Sequence, residues 1–225
     1  MALFGGIVYD MISLFYFFHL VYVLPLMSAK DIFPINDRLL VRSDKELMLS
    51  QKSRAYWFCG LSGSGKSTLA IQLEKDLHNS GIFSVVLDGD NLRDGLNQDL
   101  GFSDADRMEN IRRVSEVAKI LVSNGLVVII SFISPKKESR ELASKIIGSD
   151  SFREIYIQAD FETCHKRDVK GLYAKAEKNQ IKDFTGKSST FEAPLDPWIS
   201  IDTANETISK SSQTLFDQII KDVQI

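Results

Sequence analysis

Cysteine is nearly missing from this chain. Cys59 and Cys164 are the only two among 225 residues, which excludes a disulfide framework or a cysteine metal cluster and suits a reducing compartment. An excess of positive charge is missing too. Lys and Arg total 27 against 30 Asp and Glu, a net charge of −3, so no global field draws the protein to nucleic acid and any basic site must be local. Internal repeats and low-complexity segments are absent. No Asn-Lys-x-Asp string occurs, which disfavours a GTPase, and the second acidic element of motor and transporter ATPases is also missing. With 44% hydrophobic and 25% charged residues, the composition suits one ordinary globular domain.

One stretch is rich in what the chain otherwise uses sparingly. Gly60, Leu61, Ser62, Gly63, Ser64, Gly65, Lys66, Ser67 and Thr68 fit the phosphate-binding pattern of glycine, four residues, glycine, lysine, then serine or threonine. Its glycines let successive backbone N–H groups approach an anion, and the following helix adds its positive end. Lys66 is expected to reach the β- and γ-phosphates of ATP, and Ser67 to hold Mg²⁺. The flanks agree: residues 55–59 read as a buried strand and residues 68–73 as the start of a helix.

Further apolar runs at residues 84–87, 126–130, 154–157 and 198–201 alternate with helical patterns, the last near residues 209–220. That alternation predicts a P-loop NTPase fold, an α/β doubly wound, mainly parallel five-stranded sheet with helices on both faces. Ligands then belong at the carboxyl ends of the strands, where Gly60, Asp88, Asp90 and Ser134 fall. Residues 28–54 read as a surface helix before the first strand, and residues 91–121 as a charged start followed by a helix. Between the fourth and fifth strands, residues 165–187 carry a net charge of +4. They read either as a cationic lid, spanning about 165–190, or as a solvated helical face.

The beginning of the chain stands apart. Residues 11–27 hold no formal charge, close to the minimum for a membrane span. Residues 1–27 are therefore an apolar extension of the catalytic domain at 28–225. They come from a misassigned start, from an anchor with a cytoplasmic catalytic side, or from an extra buried helix; the first places the protein in the cytoplasm without membrane contact.

Several strings carry a family resemblance. They are the phosphate loop, Asp-Gly-Asp-Asn-Leu-Arg-Asp-Gly-Leu-Asn from Asp88, Leu-Gly-Phe-Ser-Asp-Ala-Asp-Arg-Met-Glu-Asn-Ile-Arg-Arg from Leu100, Phe-Ile-Ser-Pro from Phe132, Lys-Gly-Leu-Tyr from Lys170, Asp-Phe-Thr-Gly from Asp183 and Phe-Glu-Ala-Pro from Phe191. In this order they resemble adenylyl-sulfate kinases over roughly residues 30–222. The resemblance implies transfer of the ATP γ-phosphate to the 3′-hydroxyl of adenosine 5′-phosphosulfate, a homodimer, and no nucleic-acid partner. It implies that Arg93, Arg107 and Asn110 hold this acceptor, that Phe102 packs on its adenine, and that Asp88, Ile133, Lys170, Phe184 and Thr185 line its site. Without the resemblance, Phe102 reads as core and the arginines as a solvated helix start.

Asp90 is the expected base for the 3′-hydroxyl, with Asp88 as a supporting carboxylate or a helix cap. Ser134 matches the serine described in the family as a phosphorylated intermediate. Its own chemistry also reads as a helix N-cap followed by proline, and no histidine or lysine base stands in the motif. Val169 departs from the family's usual proline, which predicts a less rigid lid turn. Lys136 and Lys137 either add positive potential or face solvent, while His78 and His165 lack metal-ligand spacing.

Overall fold

A computed structural model describes residues 32–178, 180, 184–186 and 189–225. The chain divides into two units, residues 1–39 and 40–225. Of the first, residues 32–39 are described, with a 3-10 turn at Asn36–Arg38. The apolar run at 11–27 lies outside the described residues. Among the described residues, no helix is long and apolar enough to cross a membrane.

The second unit opens with α1 (Arg42–Leu49), which has no buried residue along its length. Strand β1 (Ala55–Cys59) follows, then α2 (Lys66–Asn79), β2 (Ser84–Asp88) and α3 (Gly89–Asp94). Next come α4 (Asp104–Ser123), β3 (Val127–Ser131), α5 (Lys137–Ile147) and β4 (Phe152–Gln158). The chain closes through α6 (Phe161–Arg167), α7 (Leu172–Glu177), β5 (Ile199–Asp202) and α8 (Ile208–Val223).

The strands form one sheet in the order β2-β3-β1-β4-β5, and every pairing is parallel. Strand period two divides the side chains between two cores. Tyr56, Phe58, Val127, Ile129, Ile155 and Ile157 pack toward Leu69, Leu73 and Leu77 of α2 and Leu215 and Ile219 of α8. Ala55, Trp57, Cys59, Val128 and Ile130 pack toward Ile111, Val114 and Ala118 of α4 and Ala143 and Ile147 of α5. All five β1 residues are fully buried, and each large side chain among them contributes about 1.5–3 kcal/mol of apolar burial.

One sequence expectation holds and one is corrected. Residues 91–121 do have a charged start followed by a helix: α3 ends at Asp94, and α4 begins after Ser103, whose hydroxyl accepts the Asp106 N–H as an N-cap. Ser134-Pro135 does not cap α5: the N-cap there is Lys136, and Ser134 stands two residues earlier with φ 43°.

Candidate active site

Gly60 ends β1 where the chain has no room for a side chain. A Cβ there would lie 2.4 Å from the Ile157 carbonyl oxygen, and φ is 151°. The turn therefore closes against β4 and returns to α2 through its N-cap Gly65, whose φ of 98° a glycine adopts without strain. No side chain caps α2. Its first N–H groups thus remain available to an anion at the positive end of the helix.

Lys66 is buried and folds back, its Nζ donating to the carbonyls of Gly60 at 2.9 Å and Leu61 at 2.7 Å. Burial pushes its ammonium down to about 8. Beside it, the Ser67 hydroxyl donates to Asp88 Oδ2 at 2.7 Å and lies 3.3 Å from the Ser131 hydroxyl. Of the roles read for Asp88, the helix cap is present: its Oδ1 accepts the Asp90 N–H at the start of α3.

The opposite wall is built by α3, the loop after it and the start of α4. Phe102 is 62% exposed rather than core, and the Arg93 guanidinium stands 4.4 Å and that of Arg107 5.8 Å from its ring centroid. Arg93 is anchored on the carbonyls of Leu100 and Gly101, and Arg107 on that of Phe102. These arginines are therefore not a solvated helix start; they frame an exposed aromatic face. Asn110 is buried and accepts from the Asn97 side-chain amide at 2.6 Å. Lys136 turns toward this wall and pairs with Asp104 at 2.8 Å, whereas Lys137 is exposed beside Glu141.

The charged insert carries two short helices, α6 and α7, and a small core of its own. Cys164, Tyr173, Ala176 and Phe184 pack together with Ala159, while Lys166, Arg167, Lys170, Lys175, Glu177 and Lys178 stay exposed. The Tyr173 hydroxyl donates to the Ser62 carbonyl at 2.7 Å, which ties the insert to the phosphate loop. Lys170 forms an ion pair with Asp90. Val169 is exposed in the turn before it, and Thr185 is buried with no hydrogen-bond partner for its hydroxyl among the described residues. His165 stacks on Phe161 and meets Glu177 at 3.0 Å, while His78 is exposed.

These groups converge on one cavity of about 1280 Å³, lined by the phosphate loop, Asp88, Asp90, Arg93, Phe102, Arg107, Asn110, Ile133, Ser134, Lys170, Phe184 and Thr185. Residue patterns alone had not marked several of its supports. The Thr203 hydroxyl donates to the Ser64 carbonyl at 2.7 Å, and Arg167 reaches the carbonyls of Gly63 and Thr203. Trp57 donates to the Ser134 hydroxyl at 2.9 Å. Only the place of Trp57 in β1, next to the loop, hinted at such contacts.

A phosphate loop on a parallel sheet, facing an arginine-framed aromatic across one cleft, defines a P-loop kinase of small molecules. The model of the adenylylsulphate kinase family matches residues 52–202. An adenylyl-sulfate kinase of Bacteroides thetaiotaomicron is 49% identical over 88% of this chain and 99% of its own length. One from Clostridium acetobutylicum is 50% identical over 79% of this chain and 88% of its own. The Mycobacterium tuberculosis APS kinase, solved in complex with AMPPNP and APS, superposes with a TM-score of 0.71 at 44% identity, covering 75% of this chain and 98% of that one. The chain belongs to the adenylylsulphate kinase family.

Proposed function

We propose that this cleft transfers the γ-phosphate of ATP to the 3′-hydroxyl of adenosine 5′-phosphosulfate, giving the 3′-phosphorylated nucleotide and ADP. The observation that carries this reading is the facing of two unlike walls, the phosphate loop and the Arg93-Phe102-Arg107 cluster, within one cavity. A donor polyphosphate fits the uncapped end of α2. An acceptor with both an aromatic base and an anionic tail fits the opposite wall.

In this reading Lys66 leaves the Gly60 and Leu61 carbonyls for the phosphates, a better partner for a buried cation. Asp90 accepts the proton of the attacking hydroxyl, and Lys170 moves from Asp90 to the acceptor's anionic tail. Arg93 and Arg107 hold the acceptor with Asn110, and Phe102 stacks on its base. Asp88 steadies Ser67; Ile133, Phe184 and Thr185 complete the walls. The two small aromatic-rooted helices exclude water as a lid.

The close oxygens of Ser67 and Asp88 are the hard donors that Mg²⁺ takes, and Mg²⁺ keeps most of its shell as water and phosphate oxygen. When bound there, it neutralises charge on the transferring phosphoryl group. A homodimer is part of the same family reading.

The test is ADP release by the full chain with ATP and Mg²⁺, offering adenosine 5′-phosphosulfate, AMP, other nucleosides or no acceptor. Release confined to the phosphosulfate, with a 3′-phosphorylated product by mass, is expected. Preference for another acceptor would leave the kinase fold standing and overturn the acceptor.

A further inference from the structure

Ser134 is held in an uncommon backbone state. Its φ is 43°, a left-handed conformation that a residue with a side chain keeps only where its surroundings over-determine it. Three elements supply that constraint. The Trp57 indole of β1 donates to its hydroxyl at 2.9 Å, and Arg140 of α5 donates to its carbonyl at 2.9 Å. One residue earlier, the Ile133 carbonyl accepts the Gly60 N–H of the phosphate loop at 3.2 Å.

Arg140 is itself fixed. It is 4% exposed, and its Nε meets Glu154 of β4 at 2.5 Å. A buried pair of this kind is weak evidence for stability, since desolvation offsets much of the attraction. It does set a guanidinium in one orientation, with its remaining N–H groups aimed at a chosen acceptor. Here that acceptor is Ser134.

The hydrogen-bond chemistry of the serine then follows. An indole N–H only donates, so the Ser134 oxygen is the acceptor in that bond and its own proton remains to be given to another group. Ser134 is among the residues that line the reaction cavity. Its bonded neighbour is a donor and no base, so the arrangement does not withdraw a proton from it as nucleophilic attack requires.

We infer that Arg140, oriented by Glu154, is a positioning residue that holds Ser134 with its hydroxyl proton presented to an anionic oxygen of the reactants. The inference rests on reading this cavity as the site of phosphoryl transfer. It makes Ser134 a hydrogen-bond donor, and it places the support of that donor in a buried relay of Trp57, Arg140 and Glu154.

The experiment compares the full chain with Arg140→Lys, which keeps a charge for Glu154 and loses the second, directed N–H to Ser134. Three quantities are read: kcat, ATP affinity by calorimetry, and the Trp57 indole N–H resonance. The chain has two tryptophans, so Trp198→Phe assigns that resonance, and Ser134→Ala gives its position without the serine acceptor. The expected result is a fall of roughly tenfold in kcat, ATP affinity within about twofold, and an indole resonance moved toward its Ser134→Ala position. Wild-type turnover overturns the inference, and so does lost turnover with the resonance unmoved. Arg140→Met combined with Glu154→Gln removes both charges and guards against misfolding; full activity in that variant also overturns it. If a different nucleotide proves to be the acceptor, the same comparison is run with that acceptor, and the resonance reports on Ser134 regardless of which acceptor is used.

Discussion

Lys170, between α6 and α7, is ion-paired with Asp90 at the start of α3. The pair links the charged insert to the start of α3 across eighty positions of sequence. Both partners are largely exposed, so the pair adds little stability and breaks readily when an anion arrives. In the proposed reaction, acceptor binding breaks this pair and frees the Asp90 carboxylate. Asp90→Asn is expected to lower kcat by about a hundredfold or more while ATP affinity stays within about twofold. Steady-state kinetics beside calorimetry decide this, and near-normal turnover rejects the role of Asp90.

Phe102 stands exposed between two guanidinium groups. Phe102→Ala should raise the acceptor KM by roughly 5- to 100-fold, the loss of one stacked base, and leave the KM for ATP unchanged. Stability should stay within about 0.5 kcal/mol, since the ring fills no core. An unchanged acceptor KM removes the stacking role.

Gly60 has no space for a methyl group against the Ile157 carbonyl. Gly60→Ala must move β1 away from β4 or distort the loop, at a cost on the order of 2–4 kcal/mol. A thermal midpoint equal to that of the wild type would show that this close approach does not constrain the fold.

Burial, with the Glu154 carboxylate adding to it, pushes the Cys59 thiol up to about 12, and burial raises Cys164 as well. Native protein at pH 8 should therefore consume almost no thiol reagent, and unfolded protein two equivalents. The folded pKa of Cys59 lies above its ordinary value of 9.0, so the folded state holds more protons between these values. Its contribution to stability is complete below about pH 9 and is lost as pH rises toward 12. Urea midpoints at pH 8 and pH 10.5 should fall less steeply with pH in Cys59→Ala than in the wild type.

The sheet was legible because β1 and β3 are unbroken apolar runs and the phosphate loop names its own neighbours. Parallel strands covered on both faces read this way. The Ser134 environment was not legible. Its partner Trp57 lies 77 positions away, and Ser-Pro is locally indistinguishable from a helix start. The lid's charges were visible, but its core joins Ala159, Cys164, Tyr173 and Phe184 at spacings that match neither helix nor strand period. Phe102 looked like core because composition cannot tell an aromatic that packs from one that is framed by cations.

The position of β1 in the sheet also fixes when the protein becomes competent during its synthesis. Ala55 pairs with Val128 on one side and Phe152 on the other, and the chain reaches neither until more than seventy further residues have been made. At about 5–20 residues per second that is roughly 4 to 15 seconds. Throughout that interval Tyr56, Trp57 and Phe58 are an unpaired apolar segment of a nascent chain, suited to chaperone capture. The nucleotide loop, encoded in the first third of the sequence, is shaped only once Ile157 has emerged from the ribosome to close against Gly60.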